Sequence, residues 1–228
     1  MAIFQLESDS IWFPPEEYWG SDEGIVAIGG DLSAERIIEA YKLGIFPWNE
    51  PDSDILWWQP IERMVLRPNE VNISKSSRNL INQKRFKITF NKAFEQVIES
   101  CKVIPRNGQQ GTWITDEHIA SFKELHNRGL AFSVEAWQDE ELVGGLYGLT
   151  SGSCFSGESM FSKKSNAGKI CFIELCKRLD HWGIPLIDCQ IYNPYLASLG
   201  AYRISRESFL KELELCRNEH PDWNEIFS

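Results

Sequence analysis

The chain has 228 residues, 43% of them hydrophobic and 25% charged, with a formal net charge of −10. That is length for one large or two small domains around a substantial core, with the composition of an ordinary soluble protein. The acidic total weighs against broad, non-specific nucleic-acid binding. The opening MAIFQLESDSIWFPP lacks the basic start and apolar run of a signal peptide, and no apolar window approaches the roughly 20 residues that span a bilayer. A cytoplasmic location with no membrane partner is the expectation. The six cysteines, at 101, 154, 171, 176, 189 and 216, form no CxxC pair and sit in apolar segments. Reduced, buried thiols are expected rather than disulfides or zinc, and no metal site is expected.

Residues 1–62 read as a small N-terminal α+β domain. Five of the nine tryptophans lie here (Trp12, Trp19, Trp48, Trp57, Trp58). One helix is clear: Ser33 is its N-cap, Glu35 suits its first turn, Ala34, Ile37, Ile38 and Tyr41 make an apolar stripe, and Gly44 ends it. Gly29-Gly30 precedes this helix without GxGxxG or GxxxxGK[ST] spacing, so a tight turn is expected rather than a phosphate loop. Strands are expected around Ile55–Trp58 and Met64–Leu66. Trp48 follows Pro47 in a loop, either as a lid on the local core or as a flat surface for a ring to stack on.

Residues 63–228 read as a larger mixed α/β domain. Segment 61–92 carries eight basic side chains, Arg63, Arg67, Lys75, Arg78, Lys84, Arg85, Lys87 and Lys92, against Glu62 and Glu70. A local excess of positive charge on an acidic body can grip a phosphate backbone; a solvated helix face is the plainer reading. Ser74–Gln83 and residues 92–101 look helical, and 86–91 alternates as a strand. The loop 104–113 is irregular, with its glycines and asparagine, and ends in Trp113. Thr115 caps a further helix, on which His118 and His126 read as surface or packing residues. AFSVEAWQ, LVGGLYGLT and SCFSGESM, joined by tight turns, predict an antiparallel meander. The glycines 144, 145 and 148 predict a bulge or a close approach to the middle strand. A helix over 165–182 follows, with Ile170, Ile173, Leu175, Cys176 and Leu179 inward. Strand IPLIDCQI, short helix YLASLGA, strand YRIS and helix ESFLKELELC come last.

The stretch 153–193 carries the polar residues that an apolar strand does not need: Glu158 in one strand, Asp188 and Gln190 in the next. Alternation predicts that Asp188 and Gln190 share one face, with Ile187 and Cys189 on the other. A buried carboxylate costs several kcal/mol unless paired. Asp188 therefore either caps a turn, pairs with a lysine, or serves a site that the three residues build together.

The order of meander, helix, strand, helix, strand resembles the GCN5-related N-acetyltransferase fold, whose cleft opens where central strands splay. SKKSNAGKI lacks the Gln/Arg-x-x-Gly-x-Gly/Ala loop of that fold's acetyl-CoA enzymes, so acyl-CoA is not the expected donor and no cofactor is expected. The motifs GGDLS, GIFPW, LWW-P, GTWIT, ELVGG-YG, GESMFS, LIDCQ and ASLGA occur in that order. Together they resemble the bacterial leucyl/phenylalanyl-tRNA–protein transferases over roughly residues 5 to 206. The resemblance implies transfer of leucine or phenylalanine, and methionine less well, from its tRNA to proteins with N-terminal Arg or Lys, creating a degradation signal. Leu-tRNA, Phe-tRNA and Met-tRNA are then donors, and a monomer is the default. A GCN5-related acyltransferase with another donor or acceptor is the alternative.

Carried over residue by residue, the resemblance makes Asp188 and Gln190 catalytic. Glu158, Met160, Phe155, Phe172, Ile173 and Leu146 would line the side-chain pocket. Trp48 and Trp113 would stack on the terminal adenosine, Asn193 would make a polar contact there, and Lys75, Arg78, Lys84 and Arg85 would meet the tRNA. Glu158 and Asp188 are also the first candidates for the negative charge that selects a basic N-terminus.

Overall fold

Turn chemistry and short apolar runs divide the chain into two sheets. The first is small: β1 (Phe4–Leu6), β2 (Ile25–Gly29), β3 (Phe46–Pro47) and β4 (Leu56–Trp58), in the spatial order β1-β2-β4-β3. The second has seven strands in the order β11-β5-β10-β9-β8-β7-β6. These are β5 (Glu62–Leu66), β6 (Lys87–Phe90), β7 (Ala131–Gln138), β8 (Glu141–Ser151), β9 (Cys154–Ser162), β10 (Leu186–Gln190) and β11 (Tyr202–Ser205). The helices are α1 (Ala34–Lys42), α2 (Lys75–Asn82), α3 (Phe94–Val103), α4 (Asp116–Asn127), α5 (Ala167–His181), α6 (Pro194–Ser198), α7 (Arg206–Arg217) and α8 (Trp223–Ile226). The computed structural model describes residues 3–20, 24–48, 53–104 and 112–228. Most of the loop expected over 104–113 lies outside them.

The local rules hold at α1. The Ser33 hydroxyl accepts the Arg36 amide at 3.4 Å, and Ala34, Ile37 and Tyr41 are buried. Gly29 and Gly30 take φ of +84° and +76°, and a Cβ on Gly30 would lie 3.0 Å from the Arg36 guanidinium carbon. The turn thus closes over a buried arginine that donates to the Glu7 carbonyl and to Asp31, as a tight turn and not a phosphate cradle. The meander β7–β8–β9 forms as alternation predicts, and α5 covers the expected helix with its five inward residues buried. Strands β1 and β2 and helix α8 are additions to the sequence reading. Two of them are short, and α8 is held by Trp223 and Phe227 packing on Phe132 and Phe155.

One core joins the small sheet and α1 to α3, α4 and one face of β8. A second lies on the opposite face of the large sheet under α5 and α8, and a third, smaller one lies under α7. Only β9 and β10 in the large sheet run parallel, and they pair over just three residues, Leu186–Asp188 against Cys154–Ser156. Past that point both strands change course. The β8–β9 register shifts between Tyr147 and Gly148, and the β10–β5 register shifts between Asp188 and Gln190. Gly148 permits the first shift, because a Cβ there would lie 2.3 Å from the Ser156 carbonyl oxygen. The second sits at Gln190 itself, whose φ is +63°. The sheet opens between the two bulges.

Candidate active site

A cavity of about 450 Å³ fills this opening and touches the first two cores. Leu146, Phe155, Met160, Phe172, Leu175 and Ile187 make its apolar wall. Trp48 and Trp113 stand in the wall as well. The ring of Trp48 meets Trp58 edge-on at 5.8 Å between centroids, and that of Trp113 meets His118 at 4.8 Å. Asn193 lines the cavity, although its side-chain oxygen is engaged in capping α6, accepting from the amides of Tyr195 and Leu196.

The polar heart of the cavity is Glu158. Its Oε1 accepts from the Tyr41 hydroxyl at 2.6 Å and from Gln190 Nε2 at 3.0 Å. Burial raises its pKa from 4.5 to about 8, the nearby Asp188 charge adding to the rise while the two hydrogen bonds oppose it. Burial thus favours the protonated form of Glu158 at pH 7. Tyr41 is held well above the usual phenol range by burial and by Glu158, so it remains a donor. Because the amide nitrogen of Gln190 is committed to Glu158, its Oε1 is left to accept.

Asp188 is buried beneath the cavity instead of lining it. Arg63 grips it bidentately, Nε to Oδ1 at 2.7 Å and Nη2 to Oδ2 at 2.6 Å. Ser156 Oγ and the Gln190 amide also donate to it, at 3.3 and 2.9 Å. The guanidinium lies between the rings of Phe46 and Phe209, with its carbon 4.6 and 4.5 Å from their centroids. Charge-assisted bidentate pairing of this kind offsets the cost of burying a carboxylate.

Several expectations change as a result. Asp188 and Gln190 do not share a face, since the positive φ at Gln190 breaks the alternation and turns its side chain into the cavity. The charged partner of Asp188 is an arginine and not a lysine, and its Oδ1 also caps the local bend by accepting the Gln190 amide two residues on. Arg63, counted with the basic surface segment, is fully buried. Arg63 offsets the charge of Asp188 toward an incoming cation, and burial pushes Glu158 toward its uncharged form. Ile173 is buried in the core under α5 and does not line the cavity. At about 100° per residue, Phe172 and Leu175 share the cavity side and Ile173 turns away from it.

The remaining sequence candidates lie elsewhere. Lys75, Arg78, Lys84 and Arg85 are exposed on α2 and the segment after it. His118 is a packing residue: buried, stacked on Phe122, hydrogen-bonded to the Tyr147 hydroxyl at 3.1 Å, and pushed by burial to a pKa of about 3. His126 stacks on Phe94. Tyr41, Arg63 and Leu175 were missed as site residues. The first and last sit in ordinary helical stripes, and nothing in the local sequence separates them from core. Among the described residues no three His, Cys, Asp or Glu side chains gather as metal ligands, and no helix is long and apolar enough to cross a membrane.

Comparison with known proteins gives the chain its class. Residues 65–214 match the family model described as leucyl/phenylalanyl-tRNA protein transferase, and residues 30–61 match that family's N-terminal domain. A leucyl/phenylalanyl-tRNA–protein transferase of Flavobacterium johnsoniae is 53% identical over 204 residues, 90% of this chain and 96% of that one. One from Teredinibacter turnerae is 48% identical over 209 residues, 91% and 81% of the two chains. One from Psychromonas ingrahamii is 46% identical over 219 residues, 96% and 92%. The protein is an enzyme of the aminoacyltransferase class. It belongs to the leucyl/phenylalanyl-tRNA–protein transferase family.

Proposed function

We propose that this enzyme moves leucine or phenylalanine, and methionine less well, from aminoacyl-tRNA to an N-terminal Arg or Lys of an acceptor protein, marking it for degradation. The observation that carries the reading is the Glu158–Gln190 hydrogen bond set into the wall of an otherwise apolar cavity. The fold we propose is GCN5-related in its larger part, residues 63–228, with residues 1–62 as a small domain beside it. The protein acts as a monomer in the cytoplasm.

The donor's apolar side chain lies among Leu146, Phe155, Met160 and Phe172. Shape alone discriminates by only about 1–3 kcal/mol per methylene, so more than one donor is accepted. Trp48 and Trp113 hold the terminal adenosine by stacking. The ester is already reactive, so the enzyme's main task is to orient the amine. Gln190 Oε1 accepts a hydrogen from the amine and aims its lone pair at the ester carbonyl. An α-amino group has a pKa near ~8, so a minority is neutral at pH 7; that neutral form binds with its lone pair free, its first proton having gone to water, while Glu158, pushed by burial to about 8, keeps its own proton. The carbon–nitrogen bond then forms, the ester carbon–oxygen bond breaks, and the 3′-oxygen leaves with the amine's next proton. Asp188 acts from below by fixing the backbone of Gln190. Lys75, Arg78, Lys84 and Arg85 meet the tRNA backbone.

The test is transfer from Leu-, Phe- and Met-charged tRNA to peptides that start with Arg, Lys or Ala. Leucine and phenylalanine should reach the Arg and Lys peptides, methionine less, and the Ala peptide should stay unmodified. Equal use of all three peptides, or transfer to none, would end this reading.

A further inference from the structure

The lysines and arginines of the described residues fall into groups. Ten stand within 4.0 Å of a carboxylate. Arg178, Arg206 and Arg217 donate to backbone carbonyls instead. Those with neither kind of partner lie in two places: the run Lys75–Lys92, and the turn into α5 at Lys163, Lys164 and Lys169. On a chain with ten more acidic than basic side chains, leaving one strip of cations unpaired creates a local positive field that pairing abolishes elsewhere.

The strip reaches the cavity. Asn72, just ahead of α2, donates its amide to the Leu199 carbonyl at 2.8 Å and its side chain to that of Ser198 at 3.2 Å, which sets the start of α2 against the end of α6. Tyr192, just ahead of α6, and Tyr195, in its first turn, line the cavity and are 49% and 39% exposed. A cation lies over each ring: Lys169 Nζ is 5.7 Å from the Tyr195 centroid, and Arg203 Cζ is 4.6 Å from that of Tyr192. Arg203 also pairs with Glu62 at 2.7 Å.

Flat rings interleaved with cations are the chemistry that holds single-stranded nucleic acid, the bases stacking on the rings and the phosphates meeting the charges. A basic side chain of the acceptor peptide would meet like charge at both rings, so the peptide is the poorer occupant. We propose that Tyr192, Tyr195, Lys169 and Arg203 form the seat of the unpaired 3′ strand of the donor RNA, carrying it from the basic face of α2 to the cavity mouth. This rests on the donor being an aminoacyl-tRNA.

The test compares two donors, phenylalanyl-tRNA and phenylalanyl-adenosine, which has the terminal nucleoside but no strand. For Tyr192→Ala and Tyr195→Ala, the ratio of KM for the tRNA to KM for the adenosine ester should rise roughly tenfold per ring, the size of one base–aromatic stack. Lys169→Gln should raise the same ratio and lower the salt dependence of the tRNA KM. Tyr195→Phe should restore the Ala variant, because the ring and not the hydroxyl is used. A ratio unchanged in all the variants, or KM rising equally for both donors, overturns the strand path while leaving the transfer reading intact. A wild-type enzyme that uses neither donor overturns both.

Discussion

Glu158→Gln is expected to stabilise the fold, and to do so more as pH rises. A carboxyl raised from 4.5 to about 8 on folding makes its contribution to stability in full below pH 4.5. That contribution is lost as pH climbs toward 8, because the unfolded chain can release the proton and the folded one resists. At 1.36 kcal/mol per pKa unit, the loss at pH 7 is about 3 kcal/mol at full strength. The carboxyl borders an open cavity, so water screening reduces this to about 2 kcal/mol. Glutamine is uncharged and keeps the accepting Oε1 for Tyr41 and Gln190, so the variant lacks the pH-dependent loss. The assay is urea unfolding of both proteins at pH 5, 6, 7 and 8. His118 and the buried thiols titrate identically in the two, so the difference isolates Glu158. The variant's advantage should be small at pH 5 and grow to about 2 kcal/mol at pH 7. An advantage independent of pH, or a variant less stable throughout, would refute the raised Glu158 pKa.

Removing Asp188 is not a clean test of chemistry. Asp188→Ala leaves Arg63 buried without its carboxylate and should cost about 3–5 kcal/mol, read as a lower urea midpoint, and the double replacement Arg63→Met, Asp188→Leu should recover most of it. Transfer activity corrected for the folded fraction should still fall at least about 100-fold in Asp188→Ala, since the Gln190 backbone loses its anchor; wild-type-like turnover of the folded fraction would remove the role. His118, neutral and buried with a pKa of about 3, gives stability that is present above pH 6.5 and lost as pH falls toward 3. His118→Leu should therefore flatten the acid limb of the unfolding curve, and an identical acid limb in the variant would contradict the burial. Arg78→Ala and Lys84→Ala should weaken tRNA binding and lower the slope of log affinity against log salt by roughly one each; filter binding between 50 and 200 mM salt would detect an unchanged slope.

The sequence carried the meander, α1 with its Ser33 cap, α5, and the apolar wall of the cavity, because periodicity and caps are local properties that burial reinforces. It also carried Glu158 and Gln190 as misplaced polar residues. It could not carry the orientation of Asp188. Alternation places Asp188 with Gln190, and only the bulge between β10 and β5, which depends on a partner strand about 125 residues earlier in the chain, separates them. For the same reason Arg63 looked like one more cation in a basic run. Its guanidinium enters the core only because β5 lies beside β10, with Phe46 and Phe209 closing over it from two other elements. Residue type and spacing alone therefore determined Glu158, Gln190 and much of the apolar wall, but not Tyr41 or Arg63. Tertiary packing decided how each is partnered, because Asp188 meets a guanidinium that offsets its burial, whereas Glu158 meets only a phenol and an amide and is pushed by burial toward its protonated form.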